Sequence, residues 1–526
     1  MFSLIEKFLQ DCAVSNVGTV RKEIEMADIL LTADKTLVSD YHSNVFLGFG
    51  TCAPPNFVPD WLFRSMFFPP LKTDREGSPK AAPYGLRKVE AQLLNEGFNV
   101  VTVSPQHLKE NLKDAKVLGI HVMDPFGLGP ASSTLATLFK KTPFLAKYFE
   151  QLMLDPEIRK AKRRGLKVIV GGPGAWQFRY REEALRVFGI DCVVEGEVEK
   201  VIGRLVQVVL DGGFLPSRYE VSVGEIPDVD EIPDIVGPSV NGLVEIGRGC
   251  CRGCQFCNVT LRPLRWCSVE KIERELAVNL KSRYISSACV HAEDVMLYGS
   301  NSTTPKSEKL LGLHEMIVKH CESISWSHCS IAAIVANPKL LQDVSEVIRQ
   351  KQDWWGVEIG IETGSSELAK KIMPTKAHPF KAESWRDIVI EGMSIMHDNN
   401  LVPAGTLIVG LPEETEDDII KTQELLDDLK NIRSLIVPLF FVPLGRLKDK
   451  DWFKDTKLHR QHRELMTQCA EHDFKWAGNL IDWAFKGKWY NPLTRELYKG
   501  FVAIARHKVK NIEQDEQEKD KLKISC

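Results

Sequence analysis

The stretch from Gly247 to Thr260, GRGCCRGCQFCNVT, constrains the chain most, because it holds four cysteines within eight residues. Three of them have the spacing Cys250-x3-Cys254-x2-Cys257, and the fourth is Cys251. Three thiolates on one short loop can bind three irons of a cubane iron–sulfur cluster and leave the fourth iron open for another ligand. The loop therefore predicts a metal centre. Which metal it holds has to be inferred from the sequence on either side of the loop.

The same cysteines allow two other kinds of site. A structural zinc ion could use all four, although zinc knuckles usually pair two separated C-x2-C units and the sequence has no second unit. Cys254 and Cys257 could form a redox C-x-x-C pair, but a thioredoxin-like context is absent. On the cluster interpretation Cys251 is not a ligand, and the scattered cysteines elsewhere are small buried hydrophobic residues.

Length and charge narrow the class of protein. At 526 residues the chain is too long for one hydrophobic core, which favours two or three domains. The net charge of −3 gives no basic field for nucleic acid or an anionic membrane. The longest apolar run, Leu435 to Leu444, is too short for a membrane span, and Met1 to Asp11 lacks the features of a signal peptide. We expect a cytoplasmic protein that binds neither nucleic acid nor membrane.

The first half alternates apolar strands with amphipathic helices after a helical lead-in over residues 1–43. This pattern predicts a Rossmann-like, doubly wound parallel sheet over residues 44–212. Such sheets bind ligands at the carboxyl ends of their strands, where this chain has glycine-rich loops at 123–134 and 171–177. The predicted strands cover residues 44–50, 98–104, 115–122, 166–172 and 191–197.

The second half begins after a linker at 213–240, which is rich in Pro and Asp. Six strand–helix units follow over 241–442, too few to close an eight-stranded barrel, so we predict a partial (β/α)6 barrel. Residues 443–526 are predicted to form a helical C-terminal region. The barrel strands are predicted at 243–247, 287–294, 324–331, 354–362, 402–410 and 434–442.

Four motifs in the first half, taken in order, resemble the cobalamin-binding domain that precedes many radical SAM domains. They are carried by Pro83, Gly85 and Leu86; by Val117, Gly119 and Ile120; by Val168 to Pro173; and by Asp191, Val193, Gly196, Glu197 and Glu199. The resemblance implies that the loops at the strand ends bind cobalamin. The implied contact residues are Asp124, Gly127, Gly129, Ser132, Ser133, Gly171, Gly172, Pro173, Trp176, Glu195, Gly196 and Glu197.

Some cobalamin proteins use an Asp-x-His-x-x-Gly loop to supply the lower ligand of cobalt. The nearest string here is Asp40-Tyr41-His42, which has Val45 in place of glycine and precedes the first predicted strand. We therefore expect no lower-axial histidine. His121 lies on an apolar strand, and we interpret it as a packed core residue.

The cysteine loop, with Phe256 before its last cysteine, is similar to the radical SAM signature. The resemblance implies a [4Fe-4S] cluster on Cys250, Cys254 and Cys257, and S-adenosyl-L-methionine (SAM) on the open iron. For carboxylates at strand ends, simple solvation is the alternative to SAM binding. The implied SAM-binding residues are Phe256, Glu293, Asp294, Glu362 and Gly405.

The combined resemblance, over residues 44 to about 445, is to cobalamin-dependent radical SAM methyltransferases. It implies that a 5′-deoxyadenosyl radical removes hydrogen from an unactivated sp3 carbon, which then receives a methyl group from methylcobalamin. An electron donor such as ferredoxin or flavodoxin is implied, in anaerobic metabolism. The alternatives are a cyclase or rearrangement enzyme of the same architecture, or a non-catalytic cobalamin- or zinc-binding module.

The substrate is less constrained by the sequence. The proline- and aromatic-rich insert at 54–83 and the helical tail are similar to archaeal enzymes that methylate a residue of methyl-coenzyme M reductase, notably the glutamine C-methyltransferase. This similarity favours a protein or peptide substrate.

Overall fold

A six-stranded parallel sheet forms the first half of the protein in the computed structural model. Its spatial order is β2-β1-β3-β4-β5-β6, and every pairing is parallel. The structure describes residues 27–55, 59–282, 284–455, 458–484, 492, 495–500, 502–504 and 506–507. The strands are β1 (Ile29–Ala33), β2 (Val100–Thr102), β3 (Val117–His121), β4 (Lys167–Gly171), β5 (Cys192–Glu195) and β6 (Arg218–Glu220).

Successive side chains of these strands pack in two hydrophobic cores, one on each face of the sheet. Because both faces are buried, the strands are continuous apolar runs in the sequence. Leu30, Leu118 and Val168 pack on one face of the sheet, whereas Ile29 and Val117 pack on the other. Helices cover both faces, so the predicted doubly wound sheet is confirmed.

The prediction was wrong at both ends of this sheet. Residues 44–50 are helical, within Val45–Leu47 and Gly48–Thr51, and the true first strand is β1, which falls in the predicted helical lead-in. Residues 1–26 of that lead-in lie outside the described residues. At the other end β6 falls within the predicted linker, because the chain pairs once more with β5 before it leaves the sheet.

The second half is an arc of six parallel strand positions, as predicted. It consists of two sheets, with orders β11-β10-β7 and β12-β13-β14-β15. Ser327 joins them, since its N–H donates to Val290 and its carbonyl accepts from Glu358. These strands are β7 (Leu243–Glu245), β10 (Ser287–His291), β11 (Ser323–Trp326), β12 (His328–Cys329), β13 (Trp355–Glu362), β14 (Leu401–Val409) and β15 (Leu435–Phe440). A short antiparallel ladder pairs β8 (Gly247–Arg248) with β9 (Arg265–Trp266) around the cysteine loop.

Helices surround both units. In the first half they are Asp60–Leu62, Tyr84–Asn95, Leu108–Asn111, Pro130–Phe139, Phe144–Met153, Pro156–Arg163, Glu183–Phe188 and Ile202–Leu210. In the second half they are Val269–Lys281, Ser307–His320, Ile331–Ala336, Pro338–Ile348, Ser366–Ile372, Trp385–Asp398, Glu416–Leu429 and Arg460–Ala484. None of the described helices has the length and apolarity needed to cross a bilayer.

The two halves are in direct contact on the side where their strands end. Helix Pro130–Phe139, which follows β3, packs against β15 of the barrel. The buried backbone N–H of Phe440 donates to Thr134 Oγ1 at 2.7 Å. The candidate ligand edge of the first sheet therefore lies beside the barrel.

The segment after β1 reaches into the barrel from the opposite end. The Phe46 ring lies against Gly356 near the start of β13. Its Cζ atom is 2.8 Å from the position that a Cβ atom on residue 356 would take. Ser43 Oγ lies 2.9 Å from Ser287 Oγ at the start of β10. Phe46 thus covers the amino-terminal end of the barrel strands.

Candidate functional site

The cysteine loop follows β8 and is clamped from one side by residues 371–378. The backbone N–H of Gln255 donates to the Ile372 carbonyl at 3.1 Å, and its side chain donates to the Lys371 carbonyl at 2.7 Å. Thr375 Oγ1 donates to the Arg252 carbonyl. These contacts hold the loop over the carboxyl ends of the barrel strands.

A second clamp comes from the turn after β15. The Arg446 N–H donates to the Gln255 carbonyl at 2.7 Å, and the Gly445 N–H donates to Asn258 Oδ1 at 2.8 Å. Gly445 has a φ of +60°, and a Cβ atom there would lie 2.6 Å from the Gln255 carbonyl and 2.8 Å from the Cys257 nitrogen. Only glycine lets this turn approach the loop so closely.

A buried ion pair holds the loop from below. Arg252 donates to Asp294 Oδ2 from Nε at 3.2 Å and from Nη2 at 3.1 Å, and its Nη2 also donates to Ser330 Oγ at 2.6 Å. The Ser330 N–H donates to Asp294 Oδ1 at 3.1 Å. Both oxygens of Asp294 are therefore occupied by protein groups, which gives this predicted SAM ligand a different role: it anchors Arg252.

The three spaced cysteines differ from the fourth in exposure. Cys254 is buried and Cys250 and Cys257 are half-buried, whereas Cys251 is exposed. Burial raises the pKa of the Cys250 thiol to about 12 and that of Cys254 to about 11. The thiols therefore stay protonated until iron binds, and metal loading releases their protons.

The three spaced cysteines lie together on the clamped loop. Three thiolates arranged on one loop fit a cubane cluster, because each binds a separate iron and the fourth iron stays open. Among the described residues, no group of three His, Cys, Asp or Glu side chains is placed to hold a single metal ion.

Beside the loop, Glu362 and Lys376 form a buried ion pair at the end of β13. Lys376 Nζ donates to Glu362 Oε1, and Thr406 Oγ1 donates to Glu362 Oε2 at 3.3 Å. A Cβ atom on Gly360 would lie 2.0 Å from Glu362 Oε1, so glycine makes room for the pair. The register of β13 on β14 shifts between Gly360 and Glu362, a bulge of the kind found beside active sites.

Lys376 also connects this pair to the cysteine loop. Its Nζ atom lies 5.9 Å from the centre of the Phe256 ring. Burial would lower the pKa of Lys376, but the charges of Glu362, Cys254 and Cys257 raise it. Phe256 and Glu362, both predicted to bind SAM, thus lie on either side of one cation next to the cluster ligands.

The other two predicted SAM residues differ from each other. Glu293 is half-buried and has no hydrogen bond or ion pair with the described part of the chain, so its carboxylate is available to a ligand. At Gly405 a Cβ atom would lie 2.7 Å from Ile361 Cδ1 and 3.4 Å from Ile436 Cδ1, on the face of β14 that packs against the helices. Packing accounts for this glycine, and the prediction that it contacts SAM gains no support.

The predicted cobalamin residues all lie at or just beyond the carboxyl ends of β3, β4 and β5. After β3, the Asp124 carboxylate accepts hydrogen bonds from the Gly129 N–H at 3.0 Å and from Gln177 Nε2, so it organises its own loop. Gly127, at a φ of +65°, and Gly129 shape the turn into helix Pro130–Phe139.

Two serines begin that helix. Ser133 Oγ donates to the Pro130 carbonyl at 3.1 Å. Ser132 is fully buried, and its hydroxyl hydrogen-bonds with the Cys52 thiol. This contact connects the start of the helix to the segment that follows β1.

After β4 the sheet edge is bare backbone. Gly171 and Gly172 are half-buried, and Gly172, at a φ of +114°, would place a Cβ atom 2.6 Å from the Val122 carbonyl and 2.9 Å from His121 Nδ1. Pro173 is exposed. Burial lowers the pKa of His121 to about 4, so its imidazole is neutral, in accord with its interpretation as a packed residue.

Trp176 lies further along the same loop, in a short 3-10 segment. Its ring stacks on Trp452 of the C-terminal region, with the ring centres 6.2 Å apart. The tryptophan therefore connects the sheet edge to the C-terminal region.

After β5 the two predicted carboxylates are already paired. Glu195 binds Arg179 at 2.8 Å, and Glu197 binds Arg248 at 2.8 Å and Arg265 at 2.7 Å. Gly196 between them, at a φ of +120°, fits against Val221. Because Arg248 and Arg265 flank the cysteine loop, Glu197 ties the first sheet to the metal site and is not free for a cofactor.

The string Asp40-Tyr41-His42 follows β1, so the argument from its position before the first strand was wrong. His42 is nevertheless exposed, and its Nε2 lies 3.2 Å from the Met66 carbonyl. That contact and Val45 remain the reasons to expect no lower-axial histidine.

Sequence reasoning missed the charged residues that support the site, namely Arg248, Arg252 and Lys376. Arg252 lies between two cysteines of the motif, and this position was a signal that could have been used. Lys376 lies more than a hundred residues from the loop, and only the fold brings it there.

The sequence matches the protein-family model of the radical SAM superfamily over residues 244–426, which include the cysteine loop and the strand ends described above. The chain carries a radical SAM domain. The cofactors of this superfamily are a [4Fe-4S] cluster and SAM, and the clamped loop with Cys250, Cys254 and Cys257 fits the cluster.

Among curated proteins, a Methanocaldococcus jannaschii protein named as a methylthiotransferase is 23% identical over 457 residues, which cover 83% of this chain and 93% of the relative. The ribosomal protein uS12 methylthiotransferase RimO of Flavobacterium psychrophilum is 26% identical over 271 residues, 46% of this chain and 59% of the relative. The first match spans both halves of the protein.

Among solved structures, the radical SAM methyltransferase TsrM of Kitasatospora setae has a similar fold. Its structure with tryptophan and a SAM analogue has a TM-score of 0.51 at 14% identity, covering 78% of this chain and 73% of TsrM. Its structure with cobalamin and a [4Fe-4S] cluster has a TM-score of 0.51 at 15% identity, covering 80% and 74%. The radical SAM barrel preceded by a Rossmann-like unit is thus a known arrangement.

Proposed function

We propose that this chain is a cobalamin-dependent radical SAM C-methyltransferase that acts on an unactivated sp3 carbon of a protein or peptide residue. The observation that carries the proposal is the junction of the two halves. Helix Pro130–Phe139 begins at the sheet edge, where the predicted cobalamin residues lie, and packs against β15 of the barrel that holds the cysteine loop. A cofactor on that edge would face the same lumen as SAM.

The three cysteines would hold the cluster, and Glu293 together with the Glu362–Lys376 pair would receive the polar groups of SAM. The Gly171–Gly172 edge and Ser132 would contact cobalamin. When bound, these cofactors supply a radical that removes hydrogen from carbon and a methyl group that replaces it, and reduction requires a donor such as ferredoxin or flavodoxin. The chain's own residues position the cofactors and keep water out of the lumen.

The test is anaerobic incubation of the reconstituted protein with SAM, methylcobalamin, a reductant and candidate peptides, including a glutamine-containing peptide of methyl-coenzyme M reductase. We expect a peptide that gains one CH2, with both 5′-deoxyadenosine and S-adenosylhomocysteine. Formation of 5′-deoxyadenosine together with an altered peptide that gains no CH2 would contradict methyl transfer and favour a cyclase or rearrangement enzyme.

A second candidate is methylthiolation, because the relative that matches 83% of this chain is named as a methylthiotransferase. Its product would gain a sulfur atom together with CH2. High-resolution mass spectrometry of the product separates the two functions.

A further inference from the structure

The inner face of the barrel carries a layer of polar side chains partway along its strands. On β10, Ala288 and Val290 pack in the core between strands and helices, so His291 faces the lumen because side chains alternate. On β13, Val357 and Ile359 pack in the same core, and Glu358 between them faces the lumen. We call His291, Glu358 and His328 the middle layer, since His328 of β12 pairs in register with Glu358.

This layer lies between two levels of the barrel. On one side are Glu293 and Glu362, the carboxylates predicted to bind SAM, and on the other is the amino-terminal end of the strands, which Phe46 covers. His291 is two residues before Glu293, or about 7 Å along the strand. Glu358 is four residues before Glu362 and two after Gly356, where the Phe46 ring lies. A molecule that enters from the carboxyl end would pass Glu293 and reach the middle layer next.

The middle layer is polar and partly open. His328 Nε2 lies 3.1 Å from Glu358 Oε2, and these side chains are 42% and 26% exposed. The His291 and His328 rings meet edge to face, with their centres 6.3 Å apart. Interiors of (β/α) barrels are normally filled with branched aliphatic side chains, so this layer is not explained by packing.

Both histidines also have an unsatisfied ring nitrogen. The Nδ1 atoms of His291 and His328 are buried and have no hydrogen-bond partner in the described part of the chain. Native proteins rarely leave such atoms unpaired, so a bound molecule is a candidate partner for them.

The layer carries charges of both signs. Burial would lower the pKa of His328, but its hydrogen bond to Glu358 and the charges of Glu358 and Glu293 raise it to about 9, so the ring is an imidazolium at neutral pH. Burial lowers the pKa of His291, which stays neutral. The cation of His328 and the anion of Glu358 cancel, and Glu293, whose charge acts on both histidines, adds one negative charge beside them.

We propose that the middle layer binds the polar end of the substrate, and that this end is an amide, from a peptide backbone or a carboxamide side chain. An amide oxygen accepts from the imidazolium, and an amide N–H donates to the Glu358 carboxylate. An amide has both groups, whereas a carboxylate has no N–H to donate to Glu358 and an amine has no oxygen to accept from the His328 imidazolium. This inference rests on the proposed function in one respect only: the reacting carbon of the substrate then lies between the middle layer and SAM.

The test is ligand-detected saturation-transfer NMR on the anaerobic holoprotein with its cluster oxidised. The probes are N-acetylalanine methylamide for backbone amides and butanamide for carboxamides, with butanoate and butylamine as charged controls. We expect at least one amide to bind about fivefold more tightly than either charged probe. His328→Leu and Glu358→Gln should each weaken amide binding about tenfold, the value for a hydrogen bond to a charged group.

His320→Leu, at the exposed end of helix Ser307–His320, is the matched control and should leave binding unchanged. Iron and cobalamin contents verify that each variant folds. Equal or tighter binding of a charged probe, no binding of any probe, or amide binding that survives both substitutions would overturn the proposal. Because binding requires no turnover, a protein that binds amides yet forms no methylated product would refute the proposed function and leave this inference standing.

Discussion

Individual residues of the cysteine loop divide into ligands and supports. Cys250, Cys254 and Cys257 are buried or half-buried, and Cys251 is exposed. We expect Cys251→Ser to keep its iron and its visible absorption after reconstitution. Cys250→Ser, Cys254→Ser and Cys257→Ser should each lose them, as measured by iron analysis and electron paramagnetic resonance. Loss of the cluster in Cys251→Ser would show that the ligand set is different.

Arg252 supports the loop through a fully buried ion pair. Arg252→Met would leave the Asp294 carboxylate buried without its partner, which typically costs about 3–5 kcal/mol. We expect the metal-free variant to have a clearly lower thermal unfolding midpoint than the metal-free native protein, as measured by calorimetry or circular dichroism. Lys339→Met, which breaks an exposed pair with Asp343 on helix Pro338–Ile348, should leave the midpoint unchanged. Equal midpoints for the two variants would mean that the Arg252 pair contributes nothing.

The sequence identified the cysteines at this scale because their ligand role depends on local spacing alone. It could not identify Lys376 or the His328–Glu358 pair, whose partners are brought together by strands and loops distant in the chain. It also assigned Asp294, Glu197 and Gly405 to cofactors, although two of them are taken up by ion pairs and one by packing. Burial and pairing of a carboxylate are tertiary properties that residue type does not reveal.

At the scale of elements, the turn after β15 determines how closely the cysteine loop is held. Gly445→Ala would force a side chain against the Gln255 carbonyl and require a left-handed backbone at a cost of about 1–3 kcal/mol. We expect this variant to bind less iron per chain and to lose its cluster faster in a chelator.

Gly478→Ala is the matched control for that change. Gly478 lies in helix Arg460–Ala484 with no atom within 4 Å of its would-be Cβ, so the variant should bind iron normally and be no less stable. If Gly445→Ala bound iron as well as Gly478→Ala, the second clamp would be irrelevant to the metal site.

Most of the barrel strands were predictable, since the runs at 243–247, 354–362 and 402–410 are largely apolar and end in glycine or a carboxylate. The first strand of the other sheet was not. Ile29–Ala33 is short and follows a stretch with helical spacing, whereas 44–50 is apolar and ends in glycine but packs as helix under the barrel. Single-sequence periodicity cannot separate a short buried strand from a buried helical turn.

At the scale of the whole molecule, Glu197 joins the two halves at the metal site. Burial would raise the pKa of Glu197, but the hydrogen bonds and charges of Arg265 and Arg248 outweigh it and hold the pKa below the ordinary value of 4.5. A carboxyl with a lowered pKa in the folded state stabilises the fold above the unfolded pKa and loses this contribution as pH falls through the folded pKa.

We therefore expect the link between the halves to weaken only below about pH 4.5. Glu197→Gln should show the same loosening at neutral pH, as faster proteolysis near residues 213–240 and a smaller change in proteolysis rate on acidification. Glu157→Gln, which removes a carboxylate on helix Pro156–Arg163 that pairs with Lys160 and not with the barrel, is the control. A pH response of proteolysis that is identical in Glu197→Gln and the native protein would assign the acid sensitivity to other groups.

The Phe46 ring under the barrel has an evolutionary consequence. A radical SAM barrel exchanged between relatives as an independent module would arrive without the residue that covers its amino-terminal end, because that residue belongs to the segment that follows β1 of the other unit. Hybrids joined at the apparent linker, residues 213–240, would combine the barrel of one parent with the Phe46 segment of the other. Productive hybrids should keep residues 34–52 and the barrel from the same parent, so these two stretches are expected to be inherited together.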